Sequence, residues 1–115
     1  MVVGSEIEAA DRVFHALADA TRRDILTRVI RSGQSVSELA RQYPMSFAAV
    51  QKHVAVLERA ALVSKVRRGR EQIVHGEVTA LRRVALLLDA YEEVWRHRAD
   101  RIADILEEND SAENQ

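Results

Sequence analysis

The last third of this sequence carries a helical pattern that is long for a chain of this size. From Thr79 to about Glu108, apolar residues recur at alternating steps of three and four, and only Arg98 interrupts them. Four heptads of this kind, about 28 residues, form a helix about 42 Å long. The 115 residues of the chain suffice for one domain, and one domain of this size cannot cover such a helix. We therefore expect the helix to pack against a second copy of the chain.

Shorter helices are predicted before this segment, and most of them have a start or stop signal. Helical spacing predicts a first helix over about residues 5–18. Asp19 can cap a second helix, and Gly33 suits a left-handed position at its end. The apolar face of that second helix consists of Ile25, Leu26, Val29 and Ile30. The capping box "SVSE" at 35–38 begins a third helix, which we expect to end at Tyr43.

A fourth helix and a hairpin follow. Ser46 can cap a helix over residues 46–60. The stretches "LVSKVRR" and "QIVHGEV" then predict two strands joined at "GRE". Two short helices, 36–43 and 46–60, followed by a basic hairpin are typical of a winged helix-turn-helix. We therefore predict a single mainly α domain with a small β-hairpin wing over residues 1–108. It should be dimeric through its first and last helices, with a frayed tail over 109–115.

The fourth helix has two faces of different character. Its core-facing positions, by helical spacing, are Val50, Val54, Leu57 and Ala61. The other face is small and polar, so it can approach base edges: glutamine can bond adenine, lysine can reach guanine or phosphate, and phenylalanine or alanine can contact a thymine methyl. An ordinary amphipathic core helix would show the same spacing. The predicted base-reading set is Ser46, Phe47, Ala48, Gln51 and Lys52, of which Ser46 can also touch a phosphate.

Charge is unevenly distributed along the chain. Residues 41–75 contain seven basic and two acidic side chains, a net charge of +5, although the whole chain carries −1. Clustered lysine and arginine is what phosphate binding requires. The residues that we expect to hold phosphates or the minor groove from the wing are Arg67, Arg68 and Arg70, with flanking contacts from Arg41 and Lys65.

Residues 17–70, "LADATRRDILTRVIRSGQSVSELARQYPMSFAAVQKHVAVLERAALVSKVRRGR", resemble the ArsR/SmtB family of winged-helix transcriptional repressors. The later "YEEVWRHRADRIADILEE" is similar to the last helix of the autorepressor-type branch of that family. The resemblance implies a homodimer that binds a palindromic operator in double-stranded DNA. The residues expected in the core and dimer interface are Val13, Phe14, Leu81, Val84, Leu88, Tyr91, Trp95 and Ile102.

Four positions depart from the family pattern. Ala20 stands where proline is usual at a helix start, and Gly76 stands where the second wing strand usually has an apolar residue, so we expect a locally weakened strand. Phe47 replaces a common basic residue and Gln51 a common serine. Because these two lie on the predicted reading face, the operator should differ from those of relatives.

Many members of the family release DNA when they bind a metal, so metal ligands need examination. The chain has no cysteine, which excludes thiolate sites, and Tyr91 stands where the last helix would carry a histidine ligand. His97, Asp100 and Asp104 could share part of a helix face, but local ion pairs account for them better. We expect no metal and no cofactor. A sensor with a non-standard metal or ligand site stays an alternative, and the sequence names no inducer.

Other classes of protein are less favoured. The chain has no nucleophile elbow, phosphate-binding glycine loop or zinc-protease motif, so we expect no enzyme. It has no signal-peptide pattern and no apolar run that could span a membrane, which favours the cytoplasm. His53 matches a family position that packs or hydrogen-bonds inside the domain. A winged helix that binds another protein is the remaining alternative, and the basic wing argues against it.

Overall fold

A computed structural model describes residues 2–113 of the chain and the side chains of residues 5–112. Within that part, helices and short strands form two compact units, one that ends at Val84 and one that begins at Ala85. The elements are α1 (Val2–Leu17), α2 (Ala20–Arg31), β1 (Gln34–Ser35), α3 (Val36–Ala40), α4 (Phe47–Arg59), β2 (Val63–Arg68), β3 (Glu71–Gly76) and α5 (Thr79–Glu113). The predicted fold class, mainly helical with a hairpin wing, is confirmed.

Two helices end at residues other than those expected. Helix α3 ends at Ala40 rather than Tyr43, because the chain turns at once and the Gln42 N–H donates to the Leu39 carbonyl. Helix α5 continues to Glu113, so residues 109–113 of the expected frayed tail are helical. No glycine or proline follows Glu108, so no breaker stops the helix there. Residues 114 and 115 lie outside the described part of the chain.

The sheet has three antiparallel strands in the order β1-β3-β2. The predicted hairpin pairs Val63 with Gly76 at its base and Arg68 with Glu71 at its tip. Strand β1 was not predicted, because two residues carry no readable alternation. It pairs Gln34 with Val74, so the segment between α2 and α3 is fixed to the wing.

The core of the first unit is aliphatic. Its buried apolar residues are Val13, Ala16, Ile25, Leu26, Val29, Val36, Leu39, Val50, Val54, Leu57, Ala60, Leu62, Val63, Val74 and Val84. Ile30, which was expected in this core, is instead 55% exposed. Ile30 lies beside Gly76 of β3: a Cβ on Gly76 would lie 2.6 Å from Ile30 Cγ1 and 3.0 Å from Ile30 Cα. Gly76 therefore lets β3 approach the backbone of α2, a role that the expected weakening of the strand did not anticipate.

Helix α2 does not end in the left-handed Gly33 that the sequence predicts. Ser32 caps the helix in an extended conformation, and its N–H donates to the Arg28 carbonyl at 3.0 Å. Among the described residues, only Ala61 and Gly69 have a positive φ, so Gly33 is not left-handed. Instead, a Cβ on Gly33 would lie 2.5 Å from His75 Cε1, so the glycine permits close approach to β3.

Helix α4 ends in a Schellman motif built on Ala61. The Leu62 N–H donates to the Leu57 carbonyl at 3.0 Å, and the Ala61 N–H donates to the Glu58 carbonyl at 2.9 Å. Leu57 and Leu62 are both fully buried, which supplies the apolar contact of the motif. Ala61 has a φ of 59° and is exposed, so it is not the core residue that the spacing suggested.

Candidate nucleic-acid interface

Helix α4 has one buried and one exposed face, as its spacing predicts. Val50, Val54 and Leu57 have no exposed surface. On the opposite face Phe47 is 47% exposed, and Ala48, Gln51 and Lys52 are also exposed. A helix that packs through one face and offers small, amide and ammonium groups on the other has the surface that a major groove accepts.

Ser46 starts α4 as predicted. Its Oγ accepts a hydrogen bond from the Ala49 N–H at 3.1 Å, and its backbone is extended, as an N-cap requires. The hydroxyl proton is not used in this bond, so it can donate to a phosphate beside the helix. The first turn of α4 also directs free N–H groups, with the positive end of the helix dipole, to the same side.

Arg22 connects three helices and thereby places α4. Its Nε donates to the Ala16 carbonyl at 2.8 Å and one Nη donates to the His15 carbonyl at 3.0 Å, at the end of α1. Its other Nη lies 3.3 Å from His53 Nδ1, on α4. The guanidinium can only donate, so this contact is a hydrogen bond when Nδ1 carries no proton. The same Nδ1 lies 3.9 Å from Asp19 Oδ2. The Arg22 N–H also lowers the pKa of Asp19, the cap of α2. His53 thus has the internal role expected of it.

A polar cluster fixes the turn before α4 to helix α2. Tyr43 Oη donates to Asp24 Oδ2, and the Arg28 guanidinium, which also binds Asp24 at 2.8 Å, lies 5.5 Å from the Tyr43 ring centre. The hydrogen bond from Arg28 is the main cause that lowers the pKa of Asp24. Burial, followed by the bond to Asp24, raises the pKa of Tyr43 to about 12. The sequence signal was only the i,i+4 spacing of Asp24 and Arg28, so this cluster was missed.

The wing closes through a two-residue loop, Gly69 and Arg70. Gly69 has a φ of 65° and Arg70 does not have a positive φ, which is the pattern of a type II′ turn. This turn matches the twist of the flanking strands and leaves Arg70 exposed at the tip. Arg67 and Arg68 are exposed on successive positions of β2, so their side chains leave opposite faces of the hairpin. The tip therefore carries positive charge on both sides.

Lys65 and Arg41, the two residues predicted to add flanking contacts, differ in exposure and in their contacts. Lys65 is half-buried, and its Nζ lies 3.7 Å from Glu58 Oε1, so it ties β2 to α4. Arg41 is exposed at the end of α3. Near the tip, Arg67 Nε bends back to the Gly69 carbonyl at 3.3 Å, a weak bond that a phosphate can replace.

The predicted dimer residues of the first unit divide into core and surface. Val13 is 2% exposed and Val84 6% exposed, so both fill the core of a single chain and offer almost nothing to a partner. Their expected place in the interface is therefore corrected to the core. Leu81 is half-buried against that core. Phe14 is exposed, and so is Ile7, one heptad earlier on α1.

The predicted dimer residues of the second unit are all exposed. Leu88, Tyr91, Trp95 and Ile102 have between 51% and 67% of their surface exposed. Val94, Ile105 and Leu106 on the same helix are also more than half exposed. A helix that leaves so much apolar surface unburied is typical of one that packs against another chain.

Metal ligands do not converge among the described residues: no three histidine or carboxylate side chains lie close enough to hold an ion. His97 Nε2 lies 3.5 Å from Glu93 Oε1, a local contact between residues one turn apart on the helix. None of the helices in residues 2–113 combines the length and the apolar character needed to cross a bilayer.

The exposed face of α4, the helix pair α3–α4 and the basic hairpin together define a class, the winged helix-turn-helix proteins that bind DNA. Residues 17–66 match the family model described as a helix-turn-helix domain. The chain is 37% identical over 87 residues to the HTH-type transcriptional regulator Rv2034 of Mycobacterium tuberculosis. The matched region covers 76% of this chain and 81% of that protein.

Solved structures that resemble this chain belong to the same class of protein. The ArsR-like transcriptional regulator of Rhodococcus sp. RHA1 is 35% identical, with a TM-score of 0.77 over 86% of this chain and 93% of that one. A homodimeric winged helix-turn-helix DNA-binding domain, Mb0332 of Mycobacterium bovis, shares the fold at 23% identity, with a TM-score of 0.64 over 78% and 84% of the two chains. The chain belongs to the ArsR family and is a DNA-binding transcriptional regulator.

Proposed function

We propose that this regulator is a repressor that occupies a palindromic operator as a homodimer, with α4 in the major groove. The observation that carries the proposal is the division of α4 into a fully buried face and an exposed one with Phe47, Gln51 and Lys52. A helix with this division can read bases while the core holds its position. In the proposal, Ser46 and Ala48 complete the contact set at the start of the helix.

The exposed face of α4 carries polar and apolar groups, so it can read bases both by hydrogen bonds and by apolar contacts. Gln51 can bond both edge atoms of an adenine, and Lys52 can reach a guanine or a phosphate. Phe47 and Ala48 are apolar, so they favour thymine methyl groups over bare polar edges. Each well-formed bidentate pair discriminates by about 1–3 kcal/mol, so one amide already gives a measurable preference.

The wing supplies contacts that do not depend on sequence. Arg67 and Arg68 leave opposite faces of the hairpin and Arg70 lies at its tip, which suits insertion at the edge of a minor groove between two phosphate backbones. Arg41 adds a contact beside α4. Lys65 contributes less, because it is bound to Glu58.

A homodimer accounts for the exposed apolar surface on α5 and for Phe14 on α1. The Mycobacterium bovis relative is a homodimer, which supports the same assembly here. Two recognition helices related by a two-fold axis read half-sites of inverted sequence about 34 Å apart. A dimer bound across a promoter represses by occupying it, and it would act in the cytoplasm without a catalytic step or a cofactor.

Selection of binding sites from a random duplex pool tests the operator. We expect an enriched site with two inverted half-sites whose centres are about 10 base pairs apart. A motif without inverted symmetry would contradict the homodimeric arrangement. If no motif is enriched, the winged helix serves a protein partner instead.

A promoter reporter tests the direction of regulation. The selected site is placed across a promoter, and output is measured with and without the regulator. Repression predicts lower output, and the effect should disappear with the double variant Gln51→Ala and Lys52→Ala. Higher output with the intact regulator would identify an activator.

A further inference from the structure

The side chain of Gln42 joins three elements of the first unit. Gln42 is exposed in the turn between α3 and α4, and its amide makes three hydrogen bonds. Its Oε1 accepts from the Arg28 guanidinium on α2. Its Nε2 donates to the Glu38 carbonyl on α3 at 2.9 Å and to Gln34 Oε1 on β1 at 2.6 Å. One amide therefore holds α2, α3 and β1 together.

Arg28 determines which way round this amide lies. A guanidinium only donates, so the atom of Gln42 that faces Arg28 must be the carbonyl oxygen. The amide nitrogen then points to Gln34 and to the Glu38 carbonyl, and both of its protons are used there. Because Gln34 must offer an oxygen to that nitrogen, the direction of each bond in the row follows from Arg28. Arg28 is itself held by Asp24 at 2.8 Å.

Strand β1 connects this row of bonds to the wing. Gln34 pairs with Val74 and Ser35 pairs with Ile73, both on β3, the second strand of the hairpin. Backbone pairing alone gives so short a strand little stability, because it contains only two residues. The bond from Gln42 to Gln34 therefore adds a second attachment, which ties the base of the wing to the turn after α3.

The same turn leads directly into α4. Gln42 precedes Ser46, the cap of that helix, by four residues, and the adjacent Tyr43 bonds to Asp24 on α2. The Gln42 amide thus lies between the two parts of the first unit that the proposed function places on DNA, which are α4 and the wing.

We propose that Gln42 is a positioning residue that fixes the wing relative to α4, so that α4 and Arg70 reach the same duplex together. The proposal rests on the DNA contacts of the proposed function and adds the residue that aligns them. A contact at the end of a stiff connection is held at a higher effective concentration near its site than one at the end of a loose connection. Loss of the Gln42 amide should therefore reduce what the wing contributes to affinity.

Fluorescence anisotropy on the selected operator measures that contribution. It is the ratio of the dissociation constants with and without Arg70→Ala. One phosphate contact is worth about 5-fold in affinity at physiological salt, so we expect a ratio of about 5 in the otherwise unmodified chain. In a Gln42→Ala background the ratio should fall below about 2, because the wing is then held less closely to its site. An equal ratio in the two backgrounds would overturn the proposal.

Two substitutions of Gln34 test the connection through β1. Gln34 only has to accept from Gln42, so Gln34→Glu keeps the bond and Gln34→Ala removes it. We expect Arg70 to keep its contribution of about 5-fold with Gln34→Glu and to fall below about 2-fold with Gln34→Ala. A fall with both substitutions, or with neither, would overturn the proposal.

Tyr43→Phe is the matched control for a general loss of stability. It removes one hydrogen bond of the same cluster, the bond to Asp24, and leaves Gln42 bonded to Gln34. Arg70 should therefore keep its full contribution in this variant. Melting temperatures identify a condition at which every variant is folded, and the affinities are compared there. An equal fall with Tyr43→Phe and with Gln42→Ala would show that Gln42 has no separate role in placing the wing.

The unmodified background distinguishes failure of this proposal from failure of the proposed function. If Arg70→Ala does not change affinity there, the wing does not touch the operator and both proposals fail. If Arg70→Ala weakens binding equally with and without the Gln42 amide, only the role of Gln42 is rejected.

Discussion

Gln51 is the residue on which sequence preference depends most in this proposal. It is exposed on α4, and its amide is the group best suited to an adenine edge. Gln51→Ala should cost about 1–3 kcal/mol of binding free energy on the operator and little on a scrambled duplex. Titrations against both duplexes measure the difference. An equal loss on the two would show that Gln51 does not read bases. The melting temperature should not change, because alanine suits an exposed helix position.

Ala61 is the residue that carries the clearest backbone strain. It holds a left-handed φ of 59° at the end of α4, where the Schellman motif favours glycine. Ala61→Gly should therefore stabilise the fold by about 1 kcal/mol, measured by denaturant unfolding. Gly69→Ala is the matched reverse case, because Gly69 has a φ of 65° and open space around its Cβ position. It should cost about 1 kcal/mol. A destabilised Ala61→Gly protein would contradict the assigned helix end.

The turn that precedes α4 is held to α2 by Tyr43. Burial and the bond to Asp24 raise its pKa to about 12, above the ordinary value of about 10 for an unfolded chain. The folded state thus holds this proton more tightly, so the contribution to stability is complete below pH 10 and is lost as the pH rises toward 12.

The absorbance of tyrosinate, followed as the pH rises, measures the pKa of Tyr43 directly. Tyr43 and Tyr91 are the two tyrosines of the chain, so a Tyr91→Phe background reports Tyr43 alone. We expect its midpoint near pH 12, and a lower one when Asp24→Asn removes the carboxylate. Circular dichroism on the same samples checks that the fold persists. A midpoint near pH 10 in the folded protein would show that Tyr43 does not fix the turn to α2.

The wing is the element expected to bind without reading sequence. Arg70→Ala should weaken binding to the operator and to scrambled DNA alike and reduce the salt dependence by about one unit of slope. Affinities measured over a salt series give that slope. Arg12→Ala, which removes an exposed arginine from α1, is the control and should leave it unchanged. An unaltered slope for Arg70→Ala would remove the wing tip from the contact set.

Local signals predicted the elements well, and long-range contacts were harder to predict. Asp19, Ser35 and Ser46 cap the helices expected of them, because a cap needs only the next three residues. The close approach of Ile30 to Gly76 joins residues 46 positions apart, and no local pattern reports such a contact. The same holds for the bond from Tyr43, in the turn between α3 and α4, to Asp24 on α2.

At the scale of the whole molecule, the candidate interface joins distant parts of the sequence. The exposed face of α4 was predictable from the period of the helix, since Val50, Val54 and Leu57 had to be inside. The long helical pattern after Thr79 indicated a partner, and the exposed residues of the second unit agree with it. Val84 fits that pattern as well, and Val13 was assigned with it to the core and dimer interface, but three-dimensional packing places both in the core of one chain.

One measurement tests the central claim, that α4 and the wing form a sequence-specific DNA-binding surface. Fluorescence anisotropy compares the intact protein on the selected operator and on a scrambled duplex of equal length, over a salt series. We predict a preference of at least about 1,000-fold for the operator at physiological salt, and a steep loss of affinity for both duplexes as salt rises. Equal affinity for the two duplexes, or affinity that salt does not change, would contradict the claim.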